Sequence, residues 1–420
     1  MYHVTRLSNG LTVATAEMPH MASVSLGFWA AVGSRAEITA QNGAAHFIEH
    51  MLFKGTRHRS AKKISQDIEG VGGYLNAFTA EENTCFYSRA HHNHFAELFS
   101  VLADMYLQSL FAPAELSKER DVIKEEVSMY MDQPAQRVQE LLNETLWPNQ
   151  PLGRPITGTH RSIDRLDRRA LLAFVHAHYG AHSTLITAAG HVKHAEVVRA
   201  VKRIAARFPA GKRPVFTPAD ARQSAPRIKL ITRKTEQTQL ALGIRTCSRH
   251  DDRRHALRLL NVILGENMSS RLFQIVREDR GLAYSIYSTP SFFDDVGDLV
   301  ISAGLEAEKL PQVLRLITRE MRRLAETPPS AAELRRARDY LFGQLDLSLE
   351  GTENQMNWIG EQLLGYGQII PPATVKERYA AVTAAQIRDA ARDFFRPERL
   401  NLALVSPLKS DAGLARLLAL

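Results

Sequence analysis

The chain repeats one pattern of strands and helices at a fixed spacing, and this repeat constrains its fold more than any other feature. An apolar strand pattern around Gly27 recurs around Gly243, 216 positions later. A helix-like stretch that leads to Tyr179 and then to a strand recurs at Phe395, again 216 positions later. One offset at both ends of the pattern indicates a duplicated domain, although unrelated α+β domains share such patterns by chance.

A proline-rich stretch separates the two copies. Residues 209–226 contain four prolines, and proline neither continues a helix nor serves a central strand. The sequence therefore predicts an N-terminal domain at residues 1–212, a linker at 213–227 and a C-terminal domain at 228–420. Within each copy strands are grouped and helices are grouped, which predicts an α+β fold rather than alternating α/β.

Composition and charge argue against several other classes of protein. Hydrophobic residues make up 45% of the 420 residues and charged residues 23%, which is typical of a globular protein. The net charge of +8 is mild and accompanies no nucleic-acid-binding module, so no nucleic-acid partner is expected. Neither a signal-peptide pattern nor a run of about 18 apolar residues is found, and there are two cysteines. We therefore expect a cytoplasmic protein with no membrane partner.

One stretch of the first copy combines the pattern of a buried helix with three ionisable side chains. Residues 43–53 are almost all apolar apart from His46, Glu49 and His50. In a helix these positions, i, i+3 and i+4, share one face. Ionisable groups on a buried face are costly unless a partner satisfies them.

A zinc ion is a suitable partner for this face. Two imidazoles one helical turn apart can bind one ion, and the glutamate beside the second histidine can hold the attacking water and accept its proton. The order His-x-x-Glu-His is the inverted zincin motif, which predicts His46 and His50 as metal ligands and Glu49 as the catalytic base. A buried pair of histidines satisfied only by backbone groups is the alternative interpretation.

A third metal ligand is predicted on a second helix. Residues 117–130 have helical periodicity, and one face combines Glu119 and Glu126 with apolar residues such as Val122 and Met129. This face points inward, so Glu126 is the candidate ligand. Glu119, two turns earlier, is placed to hydrogen-bond a ligand or the water. The alternative is that both glutamates are ordinary solvated helix residues.

A hairpin pattern supplies a candidate substrate site. Paired glycines at positions 72 and 73 precede an alternating run, and a second strand follows the charged turn at residues 81–83. Peptidases hold their substrates extended, commonly by adding the peptide to an open strand edge. The segment Asn76-Ala77-Phe78 is the predicted edge, with a purely structural hairpin as the alternative.

Taken together, these residues resemble the pitrilysin family of zinc peptidases, which includes insulin-degrading enzyme and the mitochondrial processing peptidase. Residues 46–56 are a close match to the family's motif, and Glu126 lies 76 positions beyond His50, the separation expected for the third ligand. Residues 119–126 resemble the family's ligand helix and residues 73–79 its substrate-binding strand. The resemblance covers essentially the whole chain and implies two homologous domains of the processing-peptidase type, each a mainly antiparallel sheet with helices packed on one face.

The second copy carries a further pair of residues that resembles the family. Arg277 and Tyr284 are spaced like its arginine–tyrosine pair, by which Tyr284 would stabilise the tetrahedral intermediate and Arg277 would bind substrate carbonyls. The second copy has no His-x-x-Glu-His motif, so one zinc ion per chain is expected. In the family, the motif helix and the arginine–tyrosine pair belong to opposing halves of a chamber. A half-length chain that carries both implies a homodimer with composite sites.

The resulting prediction is a zinc endopeptidase that hydrolyses unfolded peptides in an enclosed chamber. One alternative is a non-catalytic scaffold subunit, like the core proteins of the respiratory cytochrome complex; the intact motif and Glu126 argue against it. Another is the catalytic subunit of an obligate heterodimer with an inactive paralogue. The presence of Arg277 and Tyr284 on this same chain argues against that arrangement.

Overall fold

Two compact units make up the chain. The computed structural model describes residues 1–418. The first unit consists of three segments, Met1–Ser128, Arg154–Thr217 and Asp346–Ile369. The second unit consists of Met129–Gly153, Pro218–Leu345 and the described chain from Ile370 onward. Each unit is built on its own sheet.

The first unit is built on a six-stranded sheet. Its strands are β1 (Tyr2–Arg6), β2 (Thr12–Glu17), β3 (Ser23–Ala30), β4 (Tyr74–Thr79), β5 (Thr84–His91) and β6 (Thr184–Gly190). They lie in the order β1-β2-β6-β3-β5-β4, and every neighbouring pair is antiparallel except β2 and β6. Strand β4 therefore lies at one edge of this sheet and pairs only with β5.

The helices of the first half of the chain lie between these strands in sequence or follow the last of them. They are α1 (Ala44–Leu52), α2 (Ala61–Glu69), α3 (Phe95–Gln108), α4 (Pro113–Asp132), α5 (Pro134–Leu146), α6 (His160–Arg165), α7 (Arg168–His178) and α8 (His194–Ile204). The predicted helices at residues 43–53 and 117–130 correspond to α1 and α4, and the predicted hairpin corresponds to β4 and β5.

The second unit is built on a five-stranded sheet. Its strands are β7 (Arg227–Thr232), β8 (Thr238–Thr246), β9 (Ala283–Phe292), β10 (Gly297–Leu305) and β11 (Leu400–Ser406), in the order β7-β11-β8-β10-β9. The helices of the second half of the chain are α9 (Arg253–Asn261), α10 (Leu310–Glu326), α11 (Ala331–Ser348), α12 (Thr352–Tyr366), α13 (Pro372–Ala381), α14 (Ala384–Phe394) and α15 (Leu414–Leu417).

The two sheets share one topology. The order β2-β6-β3-β5-β4 in the first sheet corresponds to β7-β11-β8-β10-β9 in the second, with one parallel pair at the same place in each. Helices α7 and α14 begin at Arg168 and Ala384, and strands β6 and β11 begin at Thr184 and Leu400. Both offsets are the 216 residues seen in the sequence. The predicted α+β fold with two similar domains is confirmed.

Both faces of the first sheet are covered. Alternate side chains of a strand point to opposite faces, so Phe28 packs with α1 and α3 in one apolar cluster. Its neighbour Trp29 packs with Met356 and Ile359 of α12 in another. The prediction placed helices on one face, and the structure adds α12 on the second face.

Two helices belong to the unit built mainly from the other half of the chain. Helix α12 follows the proline-rich stretch in sequence but lies in the first unit, whereas α5 precedes it and lies in the second. There α5 packs Val138 and Leu142 with strand residues Ala241 and Ala403. The compact units therefore differ from the continuous halves that the sequence predicts, because an apolar helix face does not reveal which sheet it covers.

The proline-rich stretch connects the last turn before Phe208 to β7. Residues 209–226 contain neither helix nor strand.

In the part of the chain that the structure describes, no helix is both long and apolar enough to cross a membrane. The cellular compartment stays a prediction.

Candidate metal centre and active site

The site is built around helix α1, whose first turn is held by a buried carboxylate. The side chain of Glu37 accepts hydrogen bonds from the backbone N–H groups of Gly43 at 2.9 Å and Ala45 at 2.8 Å, and from the side chain of Asn42 at 3.3 Å. These bonds satisfy donors that a helix N-terminus leaves unpaired. Gly43 has φ +92, and an added Cβ would lie 2.7 Å from Ile163, so the chain needs glycine where α1 begins.

The two histidines of the motif share one face of α1, as predicted. His46 is buried, and His50 one turn later is half-buried. Their ring centroids lie 4.7 Å apart. The apolar residues of α1 pack in the core of the first unit, so the polar face of the helix carries the two imidazoles and Glu49.

Helix α4 brings Glu126 to the two imidazoles. One Glu126 oxygen, Oε2, lies 3.7 Å from Nε2 of His46 and 3.6 Å from Nε2 of His50. The buried stripe of α4 consists of Leu116, Glu119, Ile123 and Val127. The prediction that Val122 and Met129 point inward with Glu126 is wrong, since both are exposed. Glu126 itself is half-buried and borders the stripe, one position before Val127.

The three groups fit a zinc ion. One donor atom from each of His46, His50 and Glu126 lies within 4.8 Å of the others, and these residues form the only such cluster among the residues described. Ligands about 2.1 Å from a tetrahedral ion lie roughly 3.4 Å apart, close to the observed nitrogen–oxygen separations. Two imidazoles and one carboxylate are also a donor set that catalytic zinc sites use, with a fourth position left for water or substrate.

Glu119 orients one of the imidazoles. Its Oε2 lies 3.1 Å from Nδ1 of His50, and its Oε1 lies 2.8 Å from Nζ of Lys54. Glu119 is only 4% exposed. With Glu119 as acceptor, Nδ1 of His50 carries the proton and Nε2 presents its lone pair towards Glu126 and a metal.

Glu49 is held beside the ligands by the edge strand of the sheet. The hydroxyl of Thr79, the last residue of β4, donates to Oε2 of Glu49 at 2.5 Å. One carboxylate oxygen is thereby fixed, and the other has no hydrogen bond in the described structure. The predicted catalytic base and the predicted substrate strand are thus joined by one hydrogen bond.

The electrostatics of the site in the metal-free state keep one histidine neutral. Burial lowers the pKa of His46 to about 4, with the neighbouring His50 acting in the same direction and Glu126 opposing. Burial also acts to lower the pKa of His50, but hydrogen bonding and charge from Glu126 and Glu119 outweigh it and raise the pKa. Burial raises the pKa of Glu49 against the opposing effect of the Thr79 hydrogen bond. A raised pKa suits a carboxylate that must accept and return a proton near neutral pH.

The predicted substrate segment lies on the open edge of the first sheet. Asn76 is exposed, and its Oδ1 accepts a hydrogen bond from the Ala77 N–H at 2.9 Å on the exposed side. Phe78 is half-buried and packs edge-to-face on Trp29, with ring centroids 5.5 Å apart. The side chain of Phe78 therefore supports the fold, and only its backbone is placed to meet a peptide.

Arg277 and Tyr284 lie in the second unit and contact each other. The Arg277 guanidinium carbon is 4.8 Å from the ring centroid of Phe273 and 5.5 Å from that of Tyr284. Tyr284, at the start of β9, is 78% exposed. Tyr284 is therefore accessible, and cation–π contacts hold the Arg277 guanidinium between two rings.

Three residues that support the site were not predicted as site residues. Lys54 and Thr79 fall inside the motif stretches quoted above, and the two-residue alternation of β4 puts Thr79 on the same face as Ala77. That alternation could have identified Thr79 as a candidate site residue. Glu37 had none, because it precedes α1 by several residues and reaches it only through the fold.

A His–His–Glu set with a second glutamate held beside it, on a duplicated α+β scaffold, defines the class of metal-dependent peptidases with an inverted motif. A family model described as "Insulinase (Peptidase family M16)" matches residues 12–160, and one described as "Peptidase M16 inactive domain" matches residues 165–341. This chain belongs to peptidase family M16. The predicted resemblance to pitrilysin-type peptidases is confirmed, and the second description agrees with the single ligand cluster found.

Relatives of the chain carry matching names. A protein of Streptomyces coelicolor named an uncharacterized zinc protease is 40% identical over 411 residues, covering 96% of this chain and 89% of its own. A Bacillus subtilis protein named an uncharacterized zinc protease is 35% identical and covers 95% of this chain and 97% of its own. The predicted cofactor, zinc, agrees with these names.

Solved structures share the fold over nearly the whole chain. A protease from Helicobacter pylori superposes with a TM-score of 0.91 at 19% identity, covering 97% of this chain and 99% of its own. A Pseudomonas fluorescens structure described as a peptidase M16 inactive domain superposes with a TM-score of 0.90 at 20% identity, with the same coverage. The duplicated architecture is therefore that of known proteins.

Proposed function

We propose that this chain is a zinc-dependent endopeptidase that hydrolyses unfolded peptides. One observation carries the proposal: Glu49 is fixed between the His46–His50–Glu126 cluster and the open edge strand β4 through its bond to Thr79. A base between a metal site and a peptide-binding edge is what amide hydrolysis requires. The names of the relatives, which are zinc proteases, support the same activity.

Each residue of the site has a defined task. His46, His50 and Glu126 would hold one zinc ion per chain, which would supply polarisation of the scissile carbonyl and a lowered pKa of a water molecule. Glu49 accepts the proton of the attacking water on its carboxylate and then delivers it to the leaving amine. The raised pKa of Glu49 makes it a stronger base than an ordinary carboxylate, which favours its acceptance of the proton from water.

The open edge of β4 aligns the substrate. An extended peptide that pairs with the backbone of Asn76 and Ala77 runs beside Thr79, whose hydroxyl already holds Glu49. Backbone pairing places little demand on the side chains of the substrate. Unfolded segments, which expose their backbone, are the natural class of substrate.

The remaining contributions come from Arg277 and Tyr284. We propose that two copies of the chain form a homodimer around a chamber, and that the pair from one protomer completes the site of its partner. The accessibility of Tyr284 and the stacked position of Arg277 support this role. Donors aimed at a developing oxyanion contribute several kcal/mol to catalysis, roughly 3 kcal/mol for one donor.

The glutamate substitution Glu49→Gln tests the base. Cleavage of an internally quenched peptide with blocked termini should fall by a factor of about 10² to 10⁴, the range for losing a general base. Zinc content measured by atomic absorption should stay near one ion per chain. Glu125→Gln, on an exposed position of α4, is the matched control and should cleave normally. Undiminished cleavage by Glu49→Gln would contradict the assignment of the base.

Mixing two inactive variants tests the composite site. Chains with Glu49→Gln and chains with Tyr284→Phe should each be nearly inactive as homodimers. After unfolding and refolding together, mixed dimers should recover one working site of two. Size-exclusion chromatography with light scattering gives the oligomeric state independently. A dimer without recovery would mean that Tyr284 serves its own protomer, and a monomer would refute the shared chamber.

A further inference from the structure

A pocket in the second unit carries a charge pattern that the peptidase site does not use. Its volume is about 300 Å³, at the small end of the range for small-molecule sites. The residues that give it its charge and polarity are Arg245, Thr246, Arg253, Asp393, Arg396 and Arg399. The metal cluster, in contrast, lies wholly in the first unit.

Positive charge dominates this pocket, which we name the arginine pocket. Four of its lining residues are arginines, and Asp393 is the one acid that lines it. Asp393 is already engaged, since its Oδ2 accepts from Nη1 of Arg253 at 3.0 Å, and Asp251 accepts from the same arginine. Arg399 donates to the backbone carbonyl of Asp393, and among the described residues no carboxylate forms an ion pair with it.

Arg245 is the buried member of the arginine pocket. It is 3% exposed and stacks over Trp147 at 4.8 Å. Its hydrogen bonds go to backbone carbonyls: Nε and Nη2 donate to Leu146, and Nη1 donates to Arg222 at 2.9 Å. A guanidinium has five N–H donors, so two remain available on the terminal nitrogens.

The burial of Arg245 is costly as it stands. Burial and the nearby charge of Arg227 lower the pKa of Arg245 to about 10, and Asp220 offsets this only in part. A buried charge is normally paired, because an unpaired one loses its hydration without compensation. Backbone carbonyls hold the guanidinium in place but do not neutralise it.

Thr246, beside Arg245 on β8, provides an independent indication. Its Oγ1 is buried and has no hydrogen-bond partner among the residues described, and the residue is 9% exposed. Thr246 lines the same pocket. A buried hydroxyl without a partner costs free energy, so its place in a pocket rich in arginines indicates that a polar ligand satisfies it.

We propose that the arginine pocket binds a small phosphate-bearing anion. A phosphate group carries enough oxygens and negative charge to accept from several of the arginines of the pocket, or from an arginine and the Thr246 hydroxyl. A carboxylate offers two oxygens and a single charge, which fits the surplus of arginines less well. A volume of about 300 Å³ accommodates one or two phosphate groups together with a small organic group that carries them.

Titration calorimetry with sodium phosphate and sodium pyrophosphate tests the proposal on the full chain. Sodium chloride at equal ionic strength controls for general screening. We expect saturable binding of at least one phosphate probe at one site per chain. Tighter binding of pyrophosphate would identify diphosphate groups as the preferred form, and equal binding would identify the single phosphate group; both support the pocket.

Three variants locate the binding. Arg396→Gln, at an exposed position, should weaken affinity roughly threefold to tenfold, because it removes one charge-assisted bond that solvent partly screens. Thr246→Val should weaken affinity by a similar factor of about three to ten. It should not lower the melting temperature in phosphate-free buffer, since the lost hydroxyl has no partner in the protein. Arg392→Gln, on the exposed side of α14, is the matched control for diffuse charge.

Two results would overturn the proposal. The first is the absence of saturable binding of phosphate or pyrophosphate by the unmodified chain. The second is an equal loss of affinity in Arg392→Gln and Arg396→Gln, with Thr246→Val unchanged, since this would show that binding follows the general field of the surface. Because Thr246→Val is expected to fold normally, a destabilised Arg396 variant does not prevent the test.

Discussion

Glu119 should set the zinc affinity of the site without touching the metal. Its Oε2 lies 3.1 Å from Nδ1 of His50, and the residue is 4% exposed and paired with Lys54 at 2.8 Å. In Glu119→Gln the uncharged amide accepts more weakly from Nδ1, and in its other orientation it donates to Nδ1 and moves the proton to Nε2. The latter arrangement removes the lone pair that a metal needs.

The size of the effect follows from the role of such partners. Removing the hydrogen-bond partner of a ligating histidine weakens metal affinity about 10-fold to 100-fold. At saturating zinc this lowers the stabilisation by metal by about 1.4 to 2.8 kcal/mol. For a unit of this size, the loss corresponds to a melting temperature lower by roughly 3 to 10 °C in the zinc-loaded state. The metal-free melting temperature should change much less.

Competition with a chelator of known affinity measures the zinc dissociation constant, and calorimetric melting with and without zinc measures the stabilisation. Glu125→Gln, one position before Glu126 on the exposed side of α4, is the matched control and should behave like the unmodified chain. An affinity of Glu119→Gln within about twofold of the unmodified chain would refute the reasoning, because the orientation of His50 would then not depend on Glu119.

In the metal-free protein, His46 and Glu37 should give pH dependences of opposite sign. The pKa of His46 falls from 6.5 to about 4, so roughly 3 kcal/mol of stability is lost as pH drops through that window, and His46→Gln should remove this loss. Burial raises the pKa of Glu37 from 4.5 to about 7, so a similar amount, about 3 kcal/mol, is lost as pH rises between those values, and Glu37→Gln should remove that loss. Urea unfolding of the two variants and the unmodified chain across pH 4 to 8 measures the free energy of unfolding. If both substitutions changed its pH dependence in the same direction, the assignment would be contradicted. Gly360→Ala should destabilise by about 1 to 3 kcal/mol, because its Cβ would lie 2.3 Å from buried Trp29. Gly343→Ala in α11, with no atom within 4 Å of its Cβ, should instead stabilise by up to about 1 kcal/mol, and thermal unfolding compares the two.

The metal ligands could be predicted because local geometry decides most of their arrangement. His46 and His50 are one turn apart in a helix whose other residues, apart from Glu49, are apolar, so any fold that buries α1 brings both imidazoles to one place. Glu126 needed more, since its helix is distant in sequence, and only the resemblance supplied the separation from His50.

The support around the ligands could not be predicted in the same way. Val122 and Met129 were expected to point inward with Glu126, yet the buried stripe of α4 runs through Leu116 and Val127. When carboxylates and apolar side chains share one face of a helix, the sequence does not show which edge of that face packs against the core. Periodicity identifies a face within about one position, and that difference decides whether a residue is buried.

The sequence pattern does not reveal contacts between residues that only the complete fold brings together. Glu37 reaches the first turn of α1 because two short turns fold the chain back, and no spacing rule connects them. The placement of α5 and α12 could not be predicted for a related reason. Each of these helices has an apolar face, but which sheet that face covers depends on the complete three-dimensional packing.

The placement of α5 and α12 determines whether either half of the chain can fold when it is produced alone. A product ending at residue 212 would lack α12 and present Trp29 and its apolar neighbours to water, while its own α5 would have no sheet to cover. The complementary product would have the reverse defect. We therefore expect each fragment to be insoluble when made alone and a functional split protein to assemble when both are synthesised in one cell.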